Sequence, residues 1–301
     1  MIRFEPEHRM TDEEFRLLRD MIRGYCGIWF PDDARHLVER RLSPRIEALG
    51  LAGFTEYYLH IRYADDRRGE MEEIVERITT NETYFFREQY QLDAFQKEIL
   101  PEVYSARRAA RRLHVWSAGC STGEEAYTIA MLIHETGLFG GWDVRIFGND
   151  VSRRVLTVAR KGVYGRSSFR STDQRYVRAY FRPAVEAADG RSALEGRAVE
   201  TRGMADGRFQ VRDEVRALVS FGLVNLLEEE MLGMIGEMDV IFCRNVLIYF
   251  DAEARKRVIQ SFYKKLAKRG YLLLGHTESL INLSTAFELV HLERDMVYRK
   301  P

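Results

Sequence analysis

Two glycines and three carboxylates carry the first chemical signal in this chain. Gly119 and Gly123 bracket a tight turn in WSAGCSTGEEAYT (116–128), between an apolar strand and the start of a helix. Glycines at such a turn let the backbone come close to a ligand, and open α/β sheets bind ligands outside the carboxyl ends of their strands. A helix N-terminus ordinarily attracts anions, but this helix opens with Glu124 and Glu125, which would repel a phosphate. The favoured ligand therefore carries hydroxyls, an ammonium or a sulfonium. Asp150 ends the next strand in FGND (147–150), where an acid can grip a ribose 2′-hydroxyl. A structural turn would use the same residues differently, with the two glutamates serving the helix dipole and Asp150 capping the helix that starts near Ser152.

Together the strand, turn, helix, second strand and acid read as an adenosine site. Glu124 and Glu125 then favour S-adenosylmethionine, which has hydroxyls, an ammonium, a sulfonium and no phosphate, over NAD. Two further stretches add polar groups. NETYFFRE (81–88) holds Asn81, Thr83 and Arg87 around Phe85 and Phe86; the phenylalanines suit a core, and the three polar residues do not. DVIFCRNVLIYF (239–250) is an apolar strand that ends in Arg244 and Asn245, with Tyr249 one turn later, where the reacting end of a ligand would lie. The seven histidines form no metal-binding pattern, and His276 reads as a structural turn residue. No metal site is expected.

The elements that must position these residues fall into two patterns. Up to about residue 80 the chain reads as helical. Thr11 caps a helix with Phe15, Leu18 and Ile22 on one face. A second helix spans 34–42, and Ser43 and Pro44 start a third that stops at Gly50, with helices following at 54–63 and 70–78. After residue 110, strands at 113–118, 143–148, 218–221, 238–243, 271–275 and 296–299 alternate with helices at 124–136, 152–160 and 252–268, which predicts a doubly wound α/β sheet with parallel strands. Between about 175 and 222 the alternation breaks. We expect a small antiparallel β-subdomain there, with a flexible loop at 184–207. The expected domains are thus 1–80, all-helical; 81–97, a linker that reaches the cofactor site; and 98–301, the sheet domain.

Composition narrows the class further. Of 301 residues, 46 are Lys or Arg and 46 are Asp or Glu, so no net charge draws the chain to nucleic acid or an anionic membrane. Three scattered cysteines fit a reducing compartment rather than a disulfide framework. The first residues hold no apolar leader, and no apolar run is long enough to span a bilayer. The expectation is a cytoplasmic, monomeric protein without direct membrane insertion.

TTNETYFFRE (79–88), the 116–128 turn, SFGLVNLL (220–227), DVIFCRNVLIYF and GHTES (275–279) occur in an order and at a spacing that resemble the CheR-type chemotaxis receptor methyltransferases, protein-glutamate O-methyltransferases, nearly end to end. The resemblance implies a helical N-terminal domain, a Rossmann-like S-adenosylmethionine methyltransferase domain and an inserted small antiparallel β-subdomain. It implies cofactor contacts from Asn81, Thr83, Arg87, Gly119, Glu125 and Asp150, with Asn225 and Leu226 near the adenine and Arg244 and Asn245 at the methionine end. Arg87 and Tyr249 would lie nearest the transferred methyl. The common methyltransferase turn has an acid and a central glycine where this chain has Ser117 and Ser121, which shifts the work of holding the ligand to Glu125 and Asp150. The loop at 184–207 is longer than the family pattern, and in some members the β-subdomain grips a peptide at the receptor's C-terminus.

The implied reaction moves a methyl group to a glutamate side chain of a methyl-accepting receptor, giving a methyl ester and S-adenosylhomocysteine. A carboxylate is already ionised at neutral pH, so alignment and exclusion of water matter more than a base. The acidic methylation helices of receptors would meet Arg35, Arg40, Arg41 and Arg45, which the apolar positions Leu37, Val38 and Leu42 turn outward; pairing with Glu39 and Glu47 would make the same residues an ordinary solvated face. A signalling scaffold that binds the cofactor without transferring methyl is the alternative function.

Overall fold

The computed structural model describes residues 8–184 and 207–301. Four helices come first: α1 Asp12–Cys26, α2 Arg35–Leu49, α3 Phe54–Tyr63 and α4 Arg67–Ile78. Thr11 opens α1 with a capping box, its hydroxyl accepting from the Glu14 N–H while the Glu14 carboxylate accepts from the Thr11 N–H. Phe15, Leu18, Ile22 and Cys26 are its buried face. The expected break at Ser43 and Pro44 does not occur. Helix α2 runs through Pro44 to the left-handed Gly50, because Val38, Leu42 and Ile46 form one fully buried stripe across it. Ser43 donates to the Glu39 carbonyl within the helix instead of capping a new one.

Residues 79–88 then run without helix, and the predicted linker ends earlier than 97. From Gln89 the chain is helical again, as α5 Gln89–Ala94, a π turn Phe95–Ile99 and α6 Leu100–Arg107. The sheet domain continues with β1 Arg112–Ala118, α7 Glu124–Thr136, β2 Asp143–Asp150, α8 Arg153–Lys161, β3 Val163–Tyr164, α9 Gln174–Tyr180, β4 Phe181–Pro183, β5 Phe209–Val211, β6 Val219–Leu223, β7 Met238–Cys243, helix Ala252–Lys265, β8 Leu266–Leu274, β9 Glu288–His291 and β10 Met296–Arg299. The main sheet has the order β6-β2-β1-β7-β8-β10-β9. Its first five strands are parallel, and β10 pairs antiparallel with both β8 and β9. Strand order reverses at β1, so the carboxyl ends of β1, β2 and β7 open onto one crevice.

The small antiparallel sheet exists, ordered β3-β5-β4, with bounds that differ from the expectation. It recruits β3, which precedes residue 175, and excludes β6, which belongs to the main sheet. Between β5 and β6, Asp213–Arg216 forms a helical turn that buries Val215. Of the loop expected at 184–207, residues 185–206 lie outside the described residues.

The helical region is fastened to the sheet at several points. Ile28 and Phe250 form an isolated antiparallel bridge, and the Trp29 N–H donates to the Tyr249 carbonyl at 2.8 Å. Gly27 ends α1 with φ +75°, and a Cβ there would sit 2.7 Å from Leu227 Cδ1. From α4, Glu76 accepts from the Arg154 N–H at 3.0 Å and the Ser152 hydroxyl at 2.5 Å, while Glu72 accepts from Arg153 Nε at 2.7 Å.

Candidate active site

The turn after β1 is built on three left-handed residues, Gly119 at φ +74°, Ser121 at +50° and Gly123 at +93°. Gly119 is sterically required, since a Cβ on it would come within 2.5 Å of Val246. Ser121 adopts the conformation that a central glycine would take without strain. Its N–H donates to Asp150 Oδ2 at 2.9 Å, and its hydroxyl donates to the Asn81 carbonyl at 3.1 Å. Asp150 Oδ1 accepts from the Ser152 N–H at 3.0 Å. Asp150 thus ties the turn to the start of α8 and still lines the crevice. Burial pushes its carboxyl above the usual range, and these backbone N–H groups offset part of that.

The two neighbouring glutamates part company. Glu124, expected to face the ligand, is turned inward, where it accepts from Thr122 Oγ1 at 2.6 Å and Ser168 Oγ at 2.9 Å. Only Glu125 reaches the crevice. Ser117, standing where an acid was expected, donates its hydroxyl to Glu125 Oε1 at 2.7 Å. Arg244 Nη1 donates to Glu125 Oε2 at 3.2 Å. Burial raises the Glu125 carboxyl, and Arg244 pulls it back.

Arg244 is a clamp. Its side chain is 2% exposed, and Nη2 donates to the Arg87 carbonyl at 2.6 Å and to Glu88 Oε2 at 3.0 Å. One buried guanidinium therefore joins the end of β7, the start of α7 and residues 87–88. Arg87 itself donates to the Glu82 carbonyl at 3.0 Å. Asn225 is drawn toward α1, donating to the Tyr25 carbonyl at 2.6 Å. Tyr249 is 38% exposed.

These residues share one cavity of about 460 Å³, a size ordinary for small-molecule sites. Asn81, Thr83, Arg87, Gly119, Glu125, Asp150, Asn225, Leu226, Arg244, Asn245 and Tyr249 all line it. The sequence reading missed Ile28, Trp29 and Phe30, which close the cavity from the helical side; the aromatic pair just past the helix-ending Gly27 was the available signal. It also gave no role to Glu278 in GHTES.

The α2 arginines lie outside this cavity and do not form the free outward row that was expected. Arg45 makes a bidentate pair with Glu70, at 3.0 and 2.6 Å. Arg35 pairs with Asp12 at 2.5 Å, and Arg41 donates to the Ile78 carbonyl and the Thr80 hydroxyl. Arg40 is exposed and has neither hydrogen bond nor ion pair among the described residues. The sequence could not foresee Glu70 or Asp12 as partners, because they come from other helices.

A cavity at the switch point of a parallel sheet, with Glu125 where a dinucleotide fold would present its phosphate site and Asp150 at the end of the next strand, suits a cationic nucleoside. Asp150 and Glu125 can hold hydroxyls and an ammonium, and Arg244 offsets part of the rise that burial imposes on the Glu125 carboxyl. Fold and site define an S-adenosylmethionine-dependent methyltransferase. Among the described residues there is no cluster of three metal-ligating side chains, and no helix is long and apolar enough to cross a membrane.

Two family models match, "CheR methyltransferase, all-alpha domain" over residues 13–79 and "CheR methyltransferase, SAM binding domain" over residues 81–296. The chain belongs to the CheR methyltransferase family. It is 32% identical over 293 residues to chemotaxis protein methyltransferase 2 of Vibrio cholerae, covering 97% of this chain and 94% of that one. It is 34% identical over 282 residues to the chemotaxis protein methyltransferase of Salmonella typhimurium, covering 93% and 88%.

Proposed function

We propose that this enzyme methylates glutamate side chains in the cytoplasmic methylation helices of methyl-accepting chemotaxis receptors, in the cytoplasm and as a monomer. The names of its relatives support the substrate class. The observation that carries the site assignment is the convergence of Glu125, Asp150, Arg87 and Tyr249 on one cavity. The bound donor supplies an electrophilic methyl on a cationic sulfur; the substrate carboxylate forms the new oxygen–carbon bond as the carbon–sulfur bond breaks and its electron pair stays on sulfur.

The chain's own part is alignment. Asp150 and Glu125 take the ribose and ammonium ends of the donor, with Asn81, Thr83 and Asn245 completing the polar wall and Asn225 and Leu226 enclosing the base. Arg87 orients a carboxylate, and Tyr249 sets its ring and hydroxyl beside the positive sulfur. No proton has to move, so no general base is required. Trp29 and Phe30 keep water from the reacting end. Arg40 gives the substrate an exposed cation, and Arg41 is tied to Thr80, which lines the cavity; Arg35 and Arg45 support that face through their ion pairs. The small β3-β5-β4 sheet is a candidate holder for a receptor C-terminal peptide.

The test is transfer of a radiolabelled methyl to receptor-containing membranes, followed by mass spectrometry of the receptor. Base-labile methyl esters on glutamate are the expected product. Tight binding of S-adenosylhomocysteine without any methyl ester would point to the scaffold instead.

A further inference from the structure

The Tyr249 turn leaves β7 through an unusual backbone path. Asn245 is left-handed at φ +60°, a region that asparagine tolerates better than most residues but that is still unfavourable. The turn also exposes several N–H groups toward one point, and such a nest would ordinarily collect an anion. In this enzyme the point is filled from the turn that follows the neighbouring strand β8. Glu278 Oε2 accepts from the N–H groups of Asn245 at 2.8 Å and Gly275 at 2.7 Å. Its Oε1 accepts from Val246 at 2.9 Å and Ile248 at 3.2 Å.

Each carboxylate oxygen thus takes two backbone donors, three of the four from the turn that carries Tyr249. Gly275 makes this approach possible, since a Cβ there would lie 2.7 Å from both the Asn245 nitrogen and Glu278 Oε2. Cys243 and Leu274, the last residues of β7 and β8, are register partners, so Glu278 bridges the two strands just where the sheet opens to the cavity. Glu278 does not itself line that cavity.

We propose that Glu278 is the positioning residue of the reaction: its carboxylate occupies the N–H nest of residues 245–248 and fixes where Tyr249 stands against the reacting atoms. This rests on the reading that Tyr249 belongs to the reaction site. The claim concerns placement of the turn, so it separates turnover from donor binding, most of which is made at the other end of the cavity. Glu278→Gln keeps the size but offers the nest only one full acceptor, and its NH₂ would face N–H donors. Glu278→Asp keeps both acceptors on a shorter stem.

The experiment measures kcat, KM for S-adenosylmethionine, the Kd of S-adenosylhomocysteine and Tm for Glu278→Gln, Glu278→Asp and Tyr249→Phe. Glu278→Gln is expected to lower kcat by about tenfold or more, as small displacements of aligned groups do, with Kd and KM within about threefold of wild type; Glu278→Asp recovers part of the loss. Wild-type kcat in Glu278→Gln beside a slowed Tyr249→Phe would overturn the proposal and leave the site reading intact. Wild-type kcat in Tyr249→Phe would instead remove the site reading on which it rests. Parallel loss of kcat, Kd and Tm in Glu278→Gln would reduce Glu278 to a general structural residue. If that variant does not fold, Glu278→Asp decides alone: a fall in kcat at unchanged Kd supports the assignment, and equal losses overturn it.

Discussion

The two ends of the cavity are finished to different degrees. At the β1–β2 end, Asp150 already accepts from Ser121 and Ser152, and Glu125 already accepts from Ser117 and Arg244. At the β7 end, Tyr249 stands 38% exposed, and the Arg87 guanidinium makes one hydrogen bond, to the Glu82 carbonyl, and lies over the Tyr84 ring. The first end binds the same small molecule every time, and a preorganised wall lowers the cost of doing so. The second end must meet a protein substrate, so it keeps its contacts for the partner. Binding and reaction should therefore separate when residues are changed one at a time.

The largest effect should come from the group that links both ends. Arg244→Met would strand Glu125 and Glu88 without their buried cation, and breaking such a pair costs about 3–5 kcal/mol. Urea denaturation should show that loss, together with weakened binding of S-adenosylhomocysteine. Unchanged stability would mean that the clamp is ornamental.

Asp150→Asn should act on the binding end, at about 1.5–3 kcal/mol for a hydrogen bond to a charged group, read as a rise in the Kd of S-adenosylhomocysteine by calorimetry. The same end should respond to pH. Burial raises the Asp150 and Glu125 carboxyls above their ordinary values, so folding shifts both groups toward proton uptake. Their contribution to stability is present below the unfolded-state pKa and is lost as pH rises through the folded one. The ligand favours the ionised forms, so affinity should weaken as pH falls through the raised values, with proton release on binding between the two regimes. Affinity that does not change as pH falls into the carboxylate range would break this link.

Tyr249→Phe should do the opposite of Asp150→Asn, lowering kcat about tenfold while leaving Kd and Tm near wild type. The smallest change belongs to Arg40→Ala. Loss of one exposed cation is worth about 0.2–1 kcal/mol and should appear as a modest rise in KM for receptor at low salt that disappears at high salt. A wild-type salt profile in this variant would remove Arg40 from the substrate face.

What the sequence revealed follows the range of the interactions involved. The turn and α7 were legible almost to the residue, because strand, glycines and acids lie within one short window; Glu124–Thr136 forms as read. Helix α2 was misread because Pro44 is a local signal, while the buried stripe that overrides it depends on packing against other helices. Strand β9 was missed because it is four residues long and pairs only with β10 at the sheet edge. In the site, residue types predicted which groups meet but not how they are spent. Glu124 and Glu125 look equivalent in sequence, and Ser168, 44 residues away, draws one of them inward. Arg45 looked available until Glu70, 25 residues on, claimed it.

The bridge between Ile28 and Phe250, with Trp29 bonded to the Tyr249 carbonyl, bears on how this family could be re-engineered. The sheet domain is not a self-sufficient engine onto which any targeting module can be bolted. A chimera that imported a foreign helical module would also have to import the short segment after α1, with a glycine able to nestle against Leu227. Without it, the graft would retarget the enzyme while loosening its reactive tip.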